Sequence, residues 1–279
     1  MIMGQFKFLF ILFFLVNKIS FGQSFEIACG FGVSSYQGDI MVPLGSGQVK
    51  LANNQSFKFN FNSHWGLKAS FSRINFEADD AKSGDKWQIE RNLSFENSVK
   101  EIGLSLEFNF WPYKPLYNRV VQSPYISIGV ARILFCPLAE YNGQLIPLQP
   151  LGTEGQGLYR RVGSSISVYE NEYPLSGWAL PISIGYRISF NKYIGFATEF
   201  NYAFTNTDYL DDISGKYFDP QILAIYKGRS SEFLSDKSSI VTGESRAVGT
   251  QRGSNSYLDN YWSLMFRLIY QIPSRNCFY

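Results

Sequence analysis

The chain has 279 residues, with 25 Lys and Arg against 23 Asp and Glu, and 17% of its residues are aromatic. This near-neutral balance gives no electrostatic argument for binding nucleic acid. The cysteines are Cys29, Cys136 and Cys277, too few for a disulfide scaffold, although Cys136 and Cys277 could pair in an oxidising periplasm.

The N-terminus has the pattern of an export signal. Lys7 precedes an apolar run over residues 8–16, and Ser20 and Gly22 occupy the −3 and −1 positions of a cleavage site. The run is about half the ~20 apolar residues of a spanning helix, which favours a cleaved leader over a membrane anchor. We therefore predict a signal peptide over residues 1–22 and one mature domain over residues 23–279.

After the leader, alternation of apolar and polar residues with period two predicts β-strands. The clearest strand covers residues 98–111, where Leu104 and Leu106 lie on the face opposite Ser105. The third strand loses its alternation near Ser72 and Arg73, which suggests a β-bulge. The eight predicted strands cover residues 25–35, 56–62, 66–76, 98–111, 124–135, 179–190, 193–204 and 258–272.

The polar face of these strands is composed mostly of small residues, which suits the inside of a narrow barrel whose apolar outside meets lipid. Short and long connections alternate along the chain, as they do when periplasmic turns are short and outer loops are long. The sequence thus predicts an all-β, eight-stranded, antiparallel up-and-down transmembrane β-barrel of the outer membrane, with both termini periplasmic. A soluble lipocalin-like barrel would instead expose its Gly, Ser and Ala face to water.

Charged residues of both signs fall on positions predicted to face the lumen. Buried charges must be paired, so we expect an ion-pair network that fills the barrel and leaves no conducting channel. The predicted network consists of Glu26, Lys58, Lys68, Glu107, Arg187, Glu199 and Arg267.

Sequence motifs for chemistry are sparse. The single histidine, His64, is predicted to be a solvent-facing residue of a periplasmic turn, and no Ser/His/Asp combination can be assembled around it. The glycines of residues 152–157 are expected to permit positive φ angles in a turn, since a phosphate loop would end in Gly-Lys-Ser/Thr. We predict no catalytic residue, no cofactor and no metal site.

An acidic cluster follows the seventh predicted strand. It could bind a hard cation through carboxylate oxygens, but a solvated acidic loop is the preferred interpretation. The cluster consists of Asp208, Asp211, Asp212 and Asp219.

Several loop phrases, in this order and between predicted strands, resemble the PorG-like outer-membrane β-barrels of Bacteroidetes. The most specific phrase contains Thr207, Asp208, Tyr209, Leu210, Asp211 and Asp212, followed by Gly215. The others are residues 36–39 (YQGD), 91–95 (RNLSF), 148–157 (LQPLGTEGQG) and 252–253 (RG). We expect the phrases to order the outer loops through turn glycines and Asp side chains that cap backbone amides.

The resemblance implies an integral barrel without catalytic activity, associated with type IX protein secretion. It also implies two partners, the outer-membrane lipid bilayer and periplasmic ring proteins of the PorK–PorN type. We expect the periplasmic contacts to involve residues 112–123 and 273–279. The alternatives are a ligand-binding, adhesion or transport barrel and, less compatible with a lone histidine, a lipid-modifying barrel enzyme.

Overall fold

The computed structural model describes residues 24–40, 48–115, 120–162, 165–168, 170–254 and 256–272. The predicted leader and residues 273–279, which include Cys277, lie outside the described residues, so neither the leader nor a Cys136–Cys277 pair is tested. Within the described part of the chain, no helix is long and apolar enough to cross a membrane.

The chain forms twelve β-strands in the described residues, eight of which build one closed sheet. The barrel strands are β1 (Ser24–Gln37), β2 (Lys50–Asn60), β3 (Trp65–Asp79), β4 (Ser94–Asn109), β5 (Val121–Leu134), β10 (Ser176–Ser189), β11 (Ile194–Thr205) and β12 (Asn260–Ile272). The loop strands are β6 (Leu138–Tyr141), β7 (Gln144–Pro147), β8 (Tyr159–Val162) and β9 (Ser165–Val168).

Each barrel strand pairs antiparallel with its two neighbours. The order is β3-β2-β1-β12-β11-β10-β5-β4, and the pairing of β3 with β4 closes the ring. β5 pairs with β10 because β6 to β9 belong to the long loop between them. The predicted eight-stranded, antiparallel up-and-down barrel is confirmed.

The strands form because their side chains alternate between two environments. On β11, Phe196 and Phe200 are exposed on the outside, whereas Ala197 and Glu199 are buried in the lumen. A barrel with apolar residues outward and polar residues inward has the surface of a membrane barrel. Its pleated strands leave no open edge, so every backbone group in the membrane region can bond to a neighbouring strand.

The predicted bulge at Ser72 and Arg73 is wrong. The register of β3 with β2 and β4 runs through both residues without interruption. The apparent change of phase has another cause: towards the end of β3, Ile74 and Phe76 point inward and are buried, while Arg73 is exposed. At this height the outside of β3 no longer carries apolar residues, so its polar side chains face outward and its apolar side chains face into the barrel.

The second strand begins at Lys50, six residues earlier than the predicted 56–62, and ends at Asn60. Polar residues such as Asn53 and Gln55 hide its alternation, although Leu51 is 77% exposed on the outer face. Their backbone groups pair with β1 and β3, which a side-chain pattern does not reveal.

The loops are segregated by length, as predicted. We call one end of the barrel the turn end, with connections at residues 61–64, 110–120 and 190–193. The other is the loop end, with connections at 38–49, 80–93, 135–175 and 206–259. The loop-end helices are a 3₁₀ turn (Asp80–Lys82), α1 (Lys86–Arg91), a second 3₁₀ turn (Gln149–Leu151), α2 (Pro220–Tyr226), α3 (Arg229–Ser235) and α4 (Ser238–Thr242).

The largest apolar core lies inside the barrel towards the loop end, where the strands carry the loops. It includes Tyr36, Ile74, Phe76, Phe95, Val99, Ile133, Leu210 and Tyr261. A much smaller buried cluster, Ala28, Tyr125, Ala197 and Ile269, lies lower in the barrel. The charged lumen therefore lies beneath an apolar layer and a folded loop region.

Candidate functional site

The first charged group in the lumen contains two acids and two bases. Lys58 Nζ lies 2.8 Å from Glu26 Oε2 and 3.0 Å from Glu107 Oε1. Arg187 forms ion pairs with the same two carboxylates, at 3.4 Å from Glu26 Oε2 and in closer contact with Glu107. All four side chains are nearly inaccessible to solvent, and their formal charges cancel.

The second charged group centres on Glu199. Its carboxylate accepts hydrogen bonds from Lys68 at 2.8 and 3.0 Å and from Arg267 Nη1 at 2.8 Å. Tyr125 donates to Glu199 Oε2 at 2.8 Å, and the Arg187 guanidinium lies 4.3 Å from the centre of the Tyr125 ring. Tyr125 thus connects the two groups across the barrel.

Gly185 makes the central position of Tyr125 possible. A Cβ on Gly185 would lie only 2.4 Å from the Tyr125 ring, well inside van der Waals contact. The lumen is so narrow that a large side chain on one strand requires a glycine on its neighbour.

Glu101 is a further lumen acid, additional to the network predicted from the sequence. It accepts hydrogen bonds from Tyr261 and, at 3.4 Å, from Ser72. With Glu101, the buried lumen charges comprise four acids and four bases. The sequence could have predicted that Glu101 faces the lumen, because residues 101 and 107 lie on the same face of the predicted fourth strand.

A cavity of about 20 Å³ separates the charged groups from the apolar core, with Lys68, Glu101 and Glu199 in its wall. This volume is close to the minimum that holds one water molecule. The lumen around these charges is therefore filled by side chains.

At the loop end, the sequence phrases come together in one assembly with a buried interior, which we call the cap. It is formed by residues 36–40, 80–93, 148–158 and 207–215 with Tyr173, Arg252, Gly253 and Asp259. The predicted capping of amides by Asp is observed: Asp211 accepts from the Ile213 amide at 2.9 Å, and Asp80 from the Leu93 amide at 3.0 Å.

The 207–215 phrase forms the centre of the cap. Asp212 accepts hydrogen bonds from Thr153 and Tyr173, both at 2.5 Å. The Tyr173 ring also stacks on Tyr209, with centroids 4.2 Å apart. The Leu210 carbonyl accepts from Asn97 at 2.7 Å, and Thr207 accepts from the Asp259 amide at 3.0 Å.

Arg252 joins two of the phrases. Its guanidinium donates to Glu154 Oε1 at 3.0 Å and to the Asp212 carbonyl at 2.7 Å. Glu154 also accepts from the amides of Ser214 and Gly215, each at 3.1 Å. Burial raises the pKa of Asp212 to about 6, although the Arg252 charge opposes this shift.

Arg91 joins two further phrases. It pairs with both oxygens of Asp80 at 2.7 and 2.9 Å and donates to the carbonyls of Asp39 and Arg252 at 3.0 and 2.8 Å. A planar guanidinium suits this fork, since it offers several donors in fixed directions. Arg91 thereby hydrogen-bonds backbone carbonyls of two different loops.

Two interpretations of single residues need correction. The acidic loop is not a solvated surface: Asp208, Asp211 and Asp212 are buried in the cap, and Asp219 caps the N-terminus of α2. His64 is half-buried rather than solvent-facing, and its Nδ1 lies 2.8 Å from the Asn109 carbonyl.

No set of three or more His, Cys, Asp or Glu side chains in the described ranges has the arrangement of a metal site. Asp208 is buried, and burial, together with the nearby negative charges of Asp39 and Glu154, raises its pKa to about 7. Gly152, Gly155 and Gly157 have φ of 56°, 92° and 70°, the turn role expected of them.

Fold and lumen together define an outer-membrane β-barrel with eight strands, a filled interior and a folded cap. The chain belongs to the family described as Domain of unknown function (DUF6089), which matches residues 5–144. No curated protein matches the chain significantly.

Among solved structures, the chain is similar to outer membrane protein OprG from Pseudomonas aeruginosa, with 12% identity, a TM-score of 0.42, and 91% and 97% of the two chains covered. Neisserial surface protein A is 9% identical with a TM-score of 0.40, and 89% of this chain and 98% of that protein's chain are covered. The attachment invasion locus protein Ail of Yersinia pestis, crystallised with a heparin analogue, is 10% identical with a TM-score of 0.38. The match covers 90% of this chain and 99% of the Ail chain. Since these TM-scores are below 0.5, the architecture rests on the strand pairing of this chain.

Proposed function

We propose that this protein is a non-conducting, non-catalytic scaffold of the outer membrane, associated with type IX protein secretion, with its loop end outside the cell. The filled lumen is the observation that carries the scaffold assignment. The loop phrases that resemble PorG-like barrels support the link to secretion, and the hydrogen bonds that their polar side chains make within the cap account for their polar composition.

Transport through the barrel is disfavoured by two successive barriers. The paired charges of Glu26, Lys58, Glu107 and Arg187 occupy the lumen, and moving one of them would leave its partner buried and unpaired. The apolar core and cap cover the lumen at the other end. Ions would have to disrupt both layers to pass.

Planar-bilayer recording of the purified protein tests this part of the proposal. We expect no stable conductance steps, while an open porin reconstituted in the same lipid serves as the positive control. A reproducible open state with defined conductance would contradict a filled, structural barrel.

The secretion role requires a periplasmic contact surface, for which the turn end is the candidate. Residues 110–120 form its longest connection, with Trp111 and Lys114 exposed and Tyr113 anchored by a hydrogen bond from Gln271. The last barrel strand, β12, ends at Ile272 at the same end. We therefore place the contact with ring proteins of the PorK–PorN type at residues 112–123 and the tail, residues 273–279.

Co-purification tests the association directly. An affinity tag inserted after Gly84, an exposed position whose Cβ would touch nothing, keeps the tail free. We expect periplasmic ring proteins to be recovered, and to be lost when residues 114–120 are replaced by a Gly/Ser segment of equal length. A Gly/Ser replacement of residues 244–249, at the loop end, is the control. Recovery of the barrel alone would refute the secretion role and leave the fold intact.

A specific observation favours surface ligand binding as a second candidate function. A groove of about 620 Å³ at the loop end is lined by Trp87, Glu90, Arg246 and Gln251. The buried Arg91 guanidinium lies 4.8 Å from the Trp87 ring centre, which orients a side chain that remains 40% exposed. An oriented aromatic ring beside polar groups suits a small hydroxylated ligand.

Titration with a neutral oligosaccharide, maltoheptaose, tests this candidate by calorimetry. Binding that is lost in Trp87→Ala and retained in Tyr257→Ala, a loop aromatic that is more exposed than Trp87, would support it. Absence of heat with the wild-type protein would count against this ligand class.

A further inference from the structure

One hydroxyl in the cap lies between two buried carboxylates. Tyr36 Oη is 2.6 Å from Asp211 Oδ2 and 2.6 Å from Asp259 Oδ1. The two aspartates are each 1% exposed, and Tyr36 is 7% exposed. Tyr36 lies at the end of β1, Asp211 near the start of the loop after β11, and Asp259 at the last residue of that loop, directly before β12, so the contact connects three distant parts of the chain.

If both carboxylates were ionised, there would be one hydrogen too few for the two contacts of the Tyr36 hydroxyl. A tyrosine hydroxyl has one hydrogen to donate and also accepts. Tyr36 Oη already accepts a hydrogen bond from the Asp39 amide at 3.0 Å. If its hydrogen goes to one carboxylate, the other carboxylate oxygen faces a lone pair at hydrogen-bonding distance, and only an added proton makes that contact favourable.

The outer oxygens of both carboxyl groups are already used. Asp259 Oδ2 accepts from the Leu210 amide at 2.8 Å, and Asp211 Oδ1 accepts from the Ile213 amide at 2.9 Å. The added proton therefore belongs on the side that faces Tyr36. We propose that Tyr36, Asp211 and Asp259 form a proton-held latch: one carboxyl is protonated when the cap is closed, and loss of this proton loosens the cap.

The charged surroundings of the latch favour the proton. Asp39 acts on both aspartates from the loop after β1, and Asp208 acts on Asp259 from within the same loop as Asp211. Arg91 on α1 is the cation that acts on Asp211 and opposes them. Burial has the largest effect. Together with the Asp259 charge, which acts on Asp211, and the other negative charges, it raises the pKa of Asp211 and Asp259 well above the ordinary carboxyl range.

The direction of the pH effect follows from proton binding. The closed cap binds one more proton than the open cap at pH values between the ordinary carboxyl pKa and the raised one. The closed state is therefore fully stabilised below that window and loses stability as pH rises through it. For one proton, the opening constant increases up to about tenfold per pH unit.

Hydrogen exchange of the Leu210 and Ile213 amides in detergent micelles measures this opening. We expect their protection factors, corrected for intrinsic exchange, to fall as the pH is raised above the ordinary carboxyl range. Asp211→Asn or Asp259→Asn should keep the cap closed, because an amide reproduces the protonated carboxyl. In each variant the pH dependence of the opening constant should also become weaker, by up to about tenfold per pH unit.

Asp219→Asn is the matched control, because this aspartate caps α2 outside the latch, and its slope should equal that of the wild type. A wild-type slope that neither latch variant reduces would overturn the proposal, as would stabilisation of the cap at neutral pH by Ca²⁺ alone. Infrared difference spectra provide a second measurement. We expect the wild type to show a carboxylic-acid carbonyl band that is missing from the Asp259→Asn spectrum, and the absence of such a band from the wild type would also overturn the latch.

Discussion

Buried charge in this barrel is organised around side chains that serve several partners at once. Glu199 receives two cations and a tyrosine hydroxyl, and Arg187 serves two carboxylates. Such sharing satisfies most of the polar atoms within a narrow lumen, where each unpaired charge would carry a large desolvation cost. A single substitution therefore disturbs more than one pair.

At this scale we predict that Glu199→Gln destabilises the folded barrel by roughly 3–5 kcal/mol, because Lys68 and Arg267 lose their counter-charge in a buried site. Denaturant unfolding from lipid vesicles measures the change. Glu77→Gln, in the partly exposed pair with Lys50, is the control and should cost below about 1 kcal/mol. Equal effects of the two variants would refute the assigned importance of burial.

Along individual strands, the surroundings of the two faces change with height. The outer face of β10 is apolar at Leu180 and Ile184, whereas the outer face of β4 near the loop end carries Glu96 and Lys100. The inner face changes in the opposite sense, from the charged lumen to the apolar core. The boundary between these two zones marks the expected edge of the lipid.

Arginine substitution on the outer face tests this boundary. Ile184→Arg, in the middle of the apolar belt, should destabilise the barrel by about 2–4 kcal/mol, as arginine does near a bilayer midplane. Glu96→Arg, above the belt, should cost about 0–1 kcal/mol in the same vesicle unfolding assay. A similar loss of stability at both positions would show that the apolar belt has been assigned to the wrong part of the barrel.

For the molecule as a whole, loop lengths divide the barrel into two ends of different character. The turn end has three short or intermediate connections, and the loop end contains the cap, the helices and the four loop strands. Long loops on the outer side are the usual arrangement in outer-membrane barrels. The orientation follows if both termini are periplasmic.

Cysteine labelling in intact cells tests the orientation. After replacement of Cys29, Cys136 and Cys277 by alanine, we expect Tyr257→Cys at the loop end to react with a membrane-impermeant maleimide. Lys114→Cys at the turn end should react only once the outer membrane is permeabilised; both positions are exposed. The reverse pattern would show that the barrel is inserted the other way round.

Much of the barrel could be predicted from local pattern. Period-two alternation located all eight barrel strands, since each side chain on a strand meets the face that its polarity suits. It failed in two places for one reason: where β2 is polar on both faces, and where β3 leaves the lipid, the pattern no longer reports the backbone pairing. The same alternation could have predicted that Glu101 faces the lumen.

The sequence by itself determined the barrel, its filled lumen positions and the length of its loops, because these depend on residue type and spacing along single strands. Only the tertiary structure decided the partners of each lumen charge and the burial of the acidic loop. It placed Tyr36 between Asp211 and Asp259, residues far apart in the chain. Such contacts depend on how distant loops fold over one another, and no periodicity encodes that packing.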